Sequence, residues 1–98
     1  MSISDGMMKI LNIVAEKTNG NNTNLVHDTK VIENSHLPKD EVYNYLYQLE
    51  SLNLIKIAMK VSGADFVLIN ITKEGLEKVL GLMGVDLNNT INAKYAEN

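Results

Sequence analysis

The sequence has 98 residues, 45% of them hydrophobic and 21% charged, which suits one small globular domain and excludes wholesale disorder. No apolar run reaches the roughly 20 residues of a membrane-spanning helix, and the N-terminus MSISDGMMKI lacks the basic start of a signal peptide. We therefore expect a cytoplasmic protein with no membrane contact. The formal net charge is −3 and arginine is absent, which argues against tight, non-specific binding to a polyanion.

The first predicted helix begins at Ser4 and Asp5, residue types that commonly cap and open a helix. Apolar residues at helical spacing then form one stripe, made of Met7, Ile10, Leu11 and Val14. Met8 and Ile13 widen this stripe, and two interpretations stay open: contact with a second neighbour inside the domain, or contact with another copy of the chain. The polar segment TNGNNTN ends the helix, with Gly20 suited to a left-handed cap.

A short second helix and a longer third helix are predicted next. After a strand stub in the dipeptide LV, Asp28 or Thr29 caps a helix that continues through Ser35. The segment SHLP then forms a tight turn with His36 at the bend. The third helix covers 38–52, and its apolar face is formed by Val42, Leu46 and Leu49. Asn53 is expected to end this helix, since Asn tolerates a positive φ.

A β-hairpin is predicted over 54–72, because the period of the apolar residues changes there from 3.6 to 2. The segment IKIAMKV alternates, with Lys56 and Lys60 on one face, and FVLINIT returns as the second strand after an SGAD turn. Thr72 then caps a helix with the sequence KEGLEKVLGLM, which Gly84 is expected to end. The remaining residues form either a short helix or a frayed tail.

Three motifs resemble those of one fold family. LPKDEVYNYLYQLESLNLI is similar to a recognition helix and its exit, with Asn53 where the family usually has Gly. INITKEG resembles the Leu–Thr–x–x–Gly signature that follows the wing, and VIENSHLP resembles the second helix and turn. In this order, over residues 4 to 83, the chain resembles the winged helix-turn-helix domains of archaeal and bacterial regulators such as the MarR and PadR groups.

The resemblance implies an α+β fold with a three-helix core, a β-hairpin wing and one or two C-terminal helices. It places the winged helix-turn-helix domain at 1–84 and leaves 85–98 as a C-terminal extension that contributes to a dimer contact. In this family the third helix enters the major groove of double-stranded DNA. Carried over by position, the DNA-facing residues of that helix are Lys39, Asp40, Tyr43, Asn44 and Tyr47.

Each of these positions has a chemical role toward DNA. Lys39 contacts phosphate or guanine, and Asn44 suits the bidentate contact that amides make to adenine. Tyr43 and Tyr47 offer phenol hydroxyls to phosphate. Asp40 has two interpretations that stay open, since an acid in the first turn favours the helix dipole by about 0.3–1 kcal/mol and an acid also accepts from the amino group of cytosine.

The wing is expected to contact the DNA backbone through Lys56 and Lys60, although the family usually favours arginine at its tip. A homodimer would double each of these lysines and place two recognition helices about 34 Å apart on the duplex. The dimer interface is predicted on the surplus apolar residues of the first and last helices: Met8, Ile13, Leu80, Met83, Leu87 and Ile91.

We therefore predict a small DNA-binding transcriptional regulator that reads the major groove with helix 38–52 and contacts the backbone with wing 54–72. The alternative is a winged-helix module that binds a protein partner through Tyr43, Tyr47 and their acidic neighbours, and does not bind DNA. No enzyme is expected, since the chain has neither a cysteine nor a Gly-rich phosphate loop. We expect neither a cofactor nor a metal site, because His27 and His36 match no known ligand spacing.

Overall fold

A computed structural model of the protein describes residues 3–60 and 66–81, and for Met59 and Lys60 it describes the backbone alone. Within these residues, four helices and three strands follow in the order α1 (Asp5–Lys17), β1 (Val26–His27), α2 (Asp28–Ser35), α3 (Lys39–Ser51), β2 (Ile55–Lys60), β3 (Val67–Ile71) and α4 (Lys73–Leu80). The strands form one antiparallel sheet in the order β1-β3-β2. This arrangement confirms the predicted α+β winged helix-turn-helix fold.

The ends of α1 and α3 follow from their sequences. Ser4 Oγ accepts a hydrogen bond from the Met7 backbone N–H at 3.2 Å, which satisfies one of the free donors at the start of α1. Gly20 and Asn53 have φ values of 65° and 61°, as predicted for the residues after these two helices. His36 also lies in the left-handed region, at φ 57°, and turns the chain from α2 into α3.

The N-cap of α2 differs from the prediction. His27 caps this helix, with its Nδ1 accepting from the Thr29 backbone N–H at 3.3 Å, instead of Asp28 or Thr29. The physical reason is that Asp28 is the first residue of the helix and its side chain points into the protein, where it is only 1% exposed.

An irregularity in β2 changes the register of the hairpin. Ile55 and Ile57 pair with Ile71 and Ile69, as in a regular ladder. Beyond Ile57 the register shifts, and the backbone of Lys60 pairs with Val67 while Lys56 pairs with Asn70. Positions 67 and 70 lie on opposite faces of β3, since successive strand residues alternate. Regular alternation between Lys56 and Lys60 is therefore interrupted, and the shared face of these two lysines stays a prediction, because the side chain of Lys60 lies outside what the structure describes.

Helix α4 ends earlier than predicted. Thr72 caps it as expected, with Oγ1 accepting from the Gly75 backbone N–H at 2.9 Å. Gly81, at φ 65°, forms the C-cap, so the helix ends at Leu80 and does not reach Gly84. The domain boundary at 84, the extension 85–98 and the predicted interface residues Met83, Leu87 and Ile91 lie outside the described residues.

One hydrophobic core joins the helices to the sheet. Its fully buried members include Ile10, Leu11, Val14, Val31, Val42, Leu46, Leu49, Ile55, Ile69 and Ile71. Met8 and Ile13 are half-buried and pack against this cluster, so contacts within the domain account for part of their apolar surface. No helix among the described residues is both long enough and apolar enough to cross a membrane.

Candidate nucleic-acid interface

Helix α3 presents a polar face to solvent between Lys39 and Tyr47. Lys39, Asp40 and Asn44 are exposed, and Tyr47 is 48% exposed. At 100° per residue these positions and Tyr43 fall within an arc of about 140°, which lies outside the buried apolar stripe of the helix. The structure thus brings together all five α3 residues that the sequence nominated, and we call this surface the α3 face.

Tyr43 connects the α3 face to α2. Its hydroxyl donates a hydrogen bond to Asp28 Oδ2, and its side chain is half-buried. Its ring lies beside that of Tyr47, with centroids 6.1 Å apart, and the Lys39 Nζ is 5.7 Å from the centroid of the Tyr43 ring. A contact of the Tyr43 hydroxyl with phosphate would first have to break its bond to Asp28.

The acids of α3 have different surroundings. Glu50 Oε2 accepts from the Ile57 backbone N–H at 2.9 Å, so this carboxylate supplies a partner to the outer edge of β2. Glu41 Oε1 accepts from the Tyr45 hydroxyl at 3.4 Å, one turn further along the helix. Asp40 is exposed and has no hydrogen bond or ion pair with another described residue. It is therefore the acid that a DNA duplex on the α3 face would meet.

Lys56, the wing lysine whose side chain the structure describes, is not assembled with the α3 face. Lys56 is exposed at the base of the wing, where it lines a polar depression with Asn53, Asn70 and Lys73. Asn53 follows the C-terminal end of α3, so Lys56 is separated from Lys39 by most of a 13-residue helix, which is about 20 Å long. The side chain of Lys60 lies outside what the structure describes, as does the wing tip at 61–65.

Sequence reasoning missed a polar cluster behind the α3 face. His27 Nδ1 lies 3.0 Å from Asp28 Oδ1, and the His27 ring stacks on Phe66 with centroids 4.3 Å apart. Asp28 and Tyr43 are 15 residues apart, and no local motif connects them. An acid at the start of a short helix was itself a signal, but the expected role was an N-cap. In the described part of the chain, no group of three or more His, Asp or Glu side chains is arranged to hold a metal ion.

Comparison with known proteins gives the fold. No protein-family model matches this sequence, and no curated protein matches it either. Two solved structures are similar, the first being a candidate DNA-binding protein from Ralstonia eutropha JMP134, with a TM-score of 0.67 and 18% identity over 84% of this chain and 99% of that one. The second is the regulator BpsR of Bordetella bronchiseptica, whose DNA binding is regulated by 6-hydroxynicotinic acid, with a TM-score of 0.68 and 13% identity over 98% of this chain and 68% of that one.

Both neighbours share the fold of this chain, at identities that carry no residue-level information. Membership of the MarR or PadR groups stays a prediction.

Proposed function

We propose that this chain is a small DNA-binding transcriptional regulator that places α3 in the major groove. The observation that carries the proposal is the exposed α3 face, formed at the start of the third helix of a winged helix-turn-helix fold. Support also comes from the two structures with this fold, which belong to proteins described as binding DNA. Such a regulator would act in the cytoplasm and needs no cofactor to bind its site.

On this proposal each member of the α3 face has a defined partner. Lys39 contacts a phosphate or guanine, and Asn44 makes a bidentate contact to adenine. Tyr47 donates its hydroxyl to a phosphate, and Asp40 accepts from the amino group of cytosine. Lys56 and Lys60 would contact the backbone beside the wing. Because these cations are few, two chains would bind together as a homodimer on successive turns of the duplex.

A lysine pair tests the orientation of the domain on DNA. Lys39→Gln and Lys17→Gln each remove one exposed positive charge, the first from the α3 face and the second from the end of α1. Binding is measured by fluorescence anisotropy on a labelled mixed-sequence duplex at several salt concentrations. Lys39→Gln should weaken binding several-fold and lower the salt slope by about 1, because one phosphate contact is lost. Equal effects of the two substitutions would contradict the proposed orientation.

Two substitutions of acidic residues test the same surface by removing a negative charge in place of a positive one. Asp40→Asn and Glu50→Gln each remove one negative charge from α3, and the amide in Glu50→Gln retains an oxygen for the Ile57 N–H. Asp40→Asn should raise affinity for the mixed-sequence duplex by roughly two- to fivefold, since a charge near the phosphates no longer repels them. Glu50→Gln should change it by less. The opposite ranking would place the DNA at another surface.

The alternative function is a protein-interaction module, and the exposure of Tyr47 favours it. Tyr47 and Leu25 are the two exposed large hydrophobic side chains of the described residues, and tyrosine is a common anchor of protein interfaces. Tyr47→Phe separates the two functions, because it removes only the hydroxyl. If Tyr47 contacts a phosphate, Tyr47→Phe should bind the duplex more weakly than the unmodified protein does. If the unmodified protein does not bind the duplex at all, the interaction module is favoured.

A further inference from the structure

Asp28 is a buried carboxylate with one unsatisfied oxygen. Oδ2 accepts from the Tyr43 hydroxyl, whereas Oδ1 is buried and has no hydrogen-bond partner among the described residues. A buried polar atom without a partner costs free energy, and a buried carboxylate oxygen is among the most costly. The side chain that can donate a proton to Oδ1 is that of His27, whose Nδ1 lies 3.0 Å from this oxygen.

The Nδ1 atom of His27 lies between a donor and an acceptor. On one side it accepts from the Thr29 backbone N–H at 3.3 Å, and it contacts Thr29 Oγ1 at 2.8 Å. On the other side is the Asp28 carboxylate. One ring nitrogen carries either a lone pair or a proton, so it serves only one of these two partners at a time. The unprotonated atom caps α2, whereas the protonated atom donates to Asp28 Oδ1.

We propose that His27 and Asp28 form a proton-dependent clamp on α3, in which Asp28 is a positioning residue that holds Tyr43. When His27 is neutral with its proton on Nε2, Nδ1 accepts from the Thr29 N–H, and the carboxylate has the Tyr43 hydroxyl as its hydrogen-bond donor and holds the phenol toward α2. When His27 takes a proton from solvent, its Nδ1–H donates to Oδ1, forms an ion pair with the carboxylate and releases the Thr29 N–H. The carboxylate then accepts from two donors and holds the Tyr43 hydroxyl less tightly.

The side chains around His27 and Asp28 permit the protonation of His27 and the change of hydrogen-bond partner at its Nδ1. The His27 side chain is 37% exposed, so the proton can come from water, and histidine is the side chain that ordinarily changes charge between pH 5 and 8. Among the described residues, the titratable group that contacts the pair of His27 and Asp28 is Tyr43 on α3. The described neighbours of His27 in the hairpin are Leu68 on β3 and Phe66, which directly precedes that strand, and neither titrates. The other charged residues of α2 are Lys30 and Glu33. Both are exposed, and Lys30 Nζ lies 3.9 Å from Glu33 Oε1.

The clamp has a consequence for DNA binding, and this part rests on the proposed function. Tyr43 lies beside Tyr47 and below the Lys39 ammonium, so a change at its hydroxyl reaches the α3 face directly. The proton also adds one positive charge behind that face. Both effects favour a polyanion, and the charge alone should raise affinity roughly two- to fourfold between pH 8 and pH 6.

The clamp itself is tested without DNA, by following the Thr29 amide and the Tyr43 ring signals in NMR spectra between pH 5.5 and pH 8.5. Both signals should move in one transition together with the His27 ring. His27→Asn retains a capping oxygen but does not titrate, so both signals should stay constant. His36→Asn is the matched control, because it removes the other histidine and Asn tolerates the left-handed backbone at that position. Constant signals in the unmodified protein, or signals that follow His36, would overturn the clamp.

A second variant tests the link through the carboxylate. In Asp28→Asn the His27 ring should still titrate and the Thr29 amide should still move, whereas the Tyr43 signals should no longer respond to pH. A Tyr43 response that persists would overturn the role of Asp28. If Asp28→Asn does not fold, the comparison of His27→Asn with His36→Asn tests the clamp without it.

DNA affinity measured at pH 6 and pH 8 separates the clamp from the proposed function. A rise at pH 6 in the unmodified protein and His36→Asn, but not in His27→Asn, supports regulation through the clamp. A rise of equal size in all three proteins overturns it. An absence of duplex binding at either pH overturns the proposed function, while the NMR transitions still decide the clamp.

Discussion

At the scale of single residues, Gly75 explains why a Thr–x–x–Gly motif follows the wing. A Cβ at this position would overlap the Leu54 carbonyl oxygen and press on Ile71. The motif's Thr72 joins the same elements, since its Oγ1 donates to the Asn53 carbonyl at 2.7 Å and accepts from the Gly75 N–H at 2.9 Å. The start of α4 is thus fastened against the end of α3, and only a residue without a side chain allows that approach.

Gly75→Ala should therefore lower the free energy of unfolding by about 2–4 kcal/mol, since backbone atoms of the Leu54 region would have to move. Urea denaturation measures this. Gly6→Ala is the control, because its Cβ would meet the far end of the Tyr45 ring, which can rotate away. It should cost less than about 1 kcal/mol, given the better helix propensity of Ala. Equal losses would mean that the contact with Leu54 is not what selects glycine.

At the scale of secondary-structure elements, helix ends with strong local signals were predictable from sequence and those that depend on packing were not. Asn53 and Gly20 follow directly from residue type. Gly81 and Gly84 are competing stop signals, and the apolar residues between them favoured the later one, yet α4 ends at Gly81. The shift in β2 after Ile57 leaves no mark in an alternating sequence, because it depends on pairing with β3. Regular alternation was the reason for placing Lys56 and Lys60 on one face, and this shift interrupts it.

Asn53 offers a direct test of how α3 ends. Its φ of 61° is a conformation that Asn tolerates, Gly adopts freely and Ala resists. Asn53→Gly should leave the free energy of unfolding within roughly 0.5 kcal/mol of the original, and Asn53→Ala should lower it by about 1 kcal/mol. Thermal or urea denaturation of the two variants gives the comparison. A loss for Gly equal to that for Ala would indicate that the Asn side chain, and not its backbone conformation, matters here.

Like the fold, the candidate site was predictable from the sequence only in part. The resemblance to a recognition helix nominated Lys39, Asp40, Asn44 and Tyr47, and helical spacing explains why they share one exposed surface, since periodicity fixes the face of a helix once its apolar stripe is known. The same reasoning could not find the bond between Asp28 and Tyr43. That contact exists because the turn at His36 brings the start of α2 against α3, and a tertiary contact of this kind has no periodic signal.

At the scale of the whole molecule, a chain with a net charge of −3 and no arginine would bind DNA through few contacts. Two chains would double them, and the homodimer therefore stays a central prediction. Leu80, in the last turn of α4, is the described interface residue best suited to a test, because Met8 and Ile13 already pack against the core.

Leu80→Glu should weaken dimerisation roughly tenfold or more if this side chain lies at the centre of the interface. Sedimentation equilibrium measures the association, and circular dichroism shows that the fold is retained. Lys73→Glu changes an exposed residue in the first turn of the same helix and should leave association unchanged. A monomeric unmodified protein, or a dimer that Leu80→Glu does not affect, would contradict the predicted interface.

The most direct test of DNA reading by α3 is a two-dimensional amide NMR titration of the labelled protein with a mixed-sequence duplex at low salt. Non-specific binding by DNA-reading proteins, about 10⁻⁴–10⁻⁶ M at physiological salt, is within reach of this method and needs no knowledge of the operator. We predict shifts concentrated in 36–47, with smaller ones in the wing, and a loss of these shifts as salt rises. An absence of shifts, or shifts confined to α1 and α4, would contradict DNA reading by α3 and direct attention to a protein partner for the α3 face.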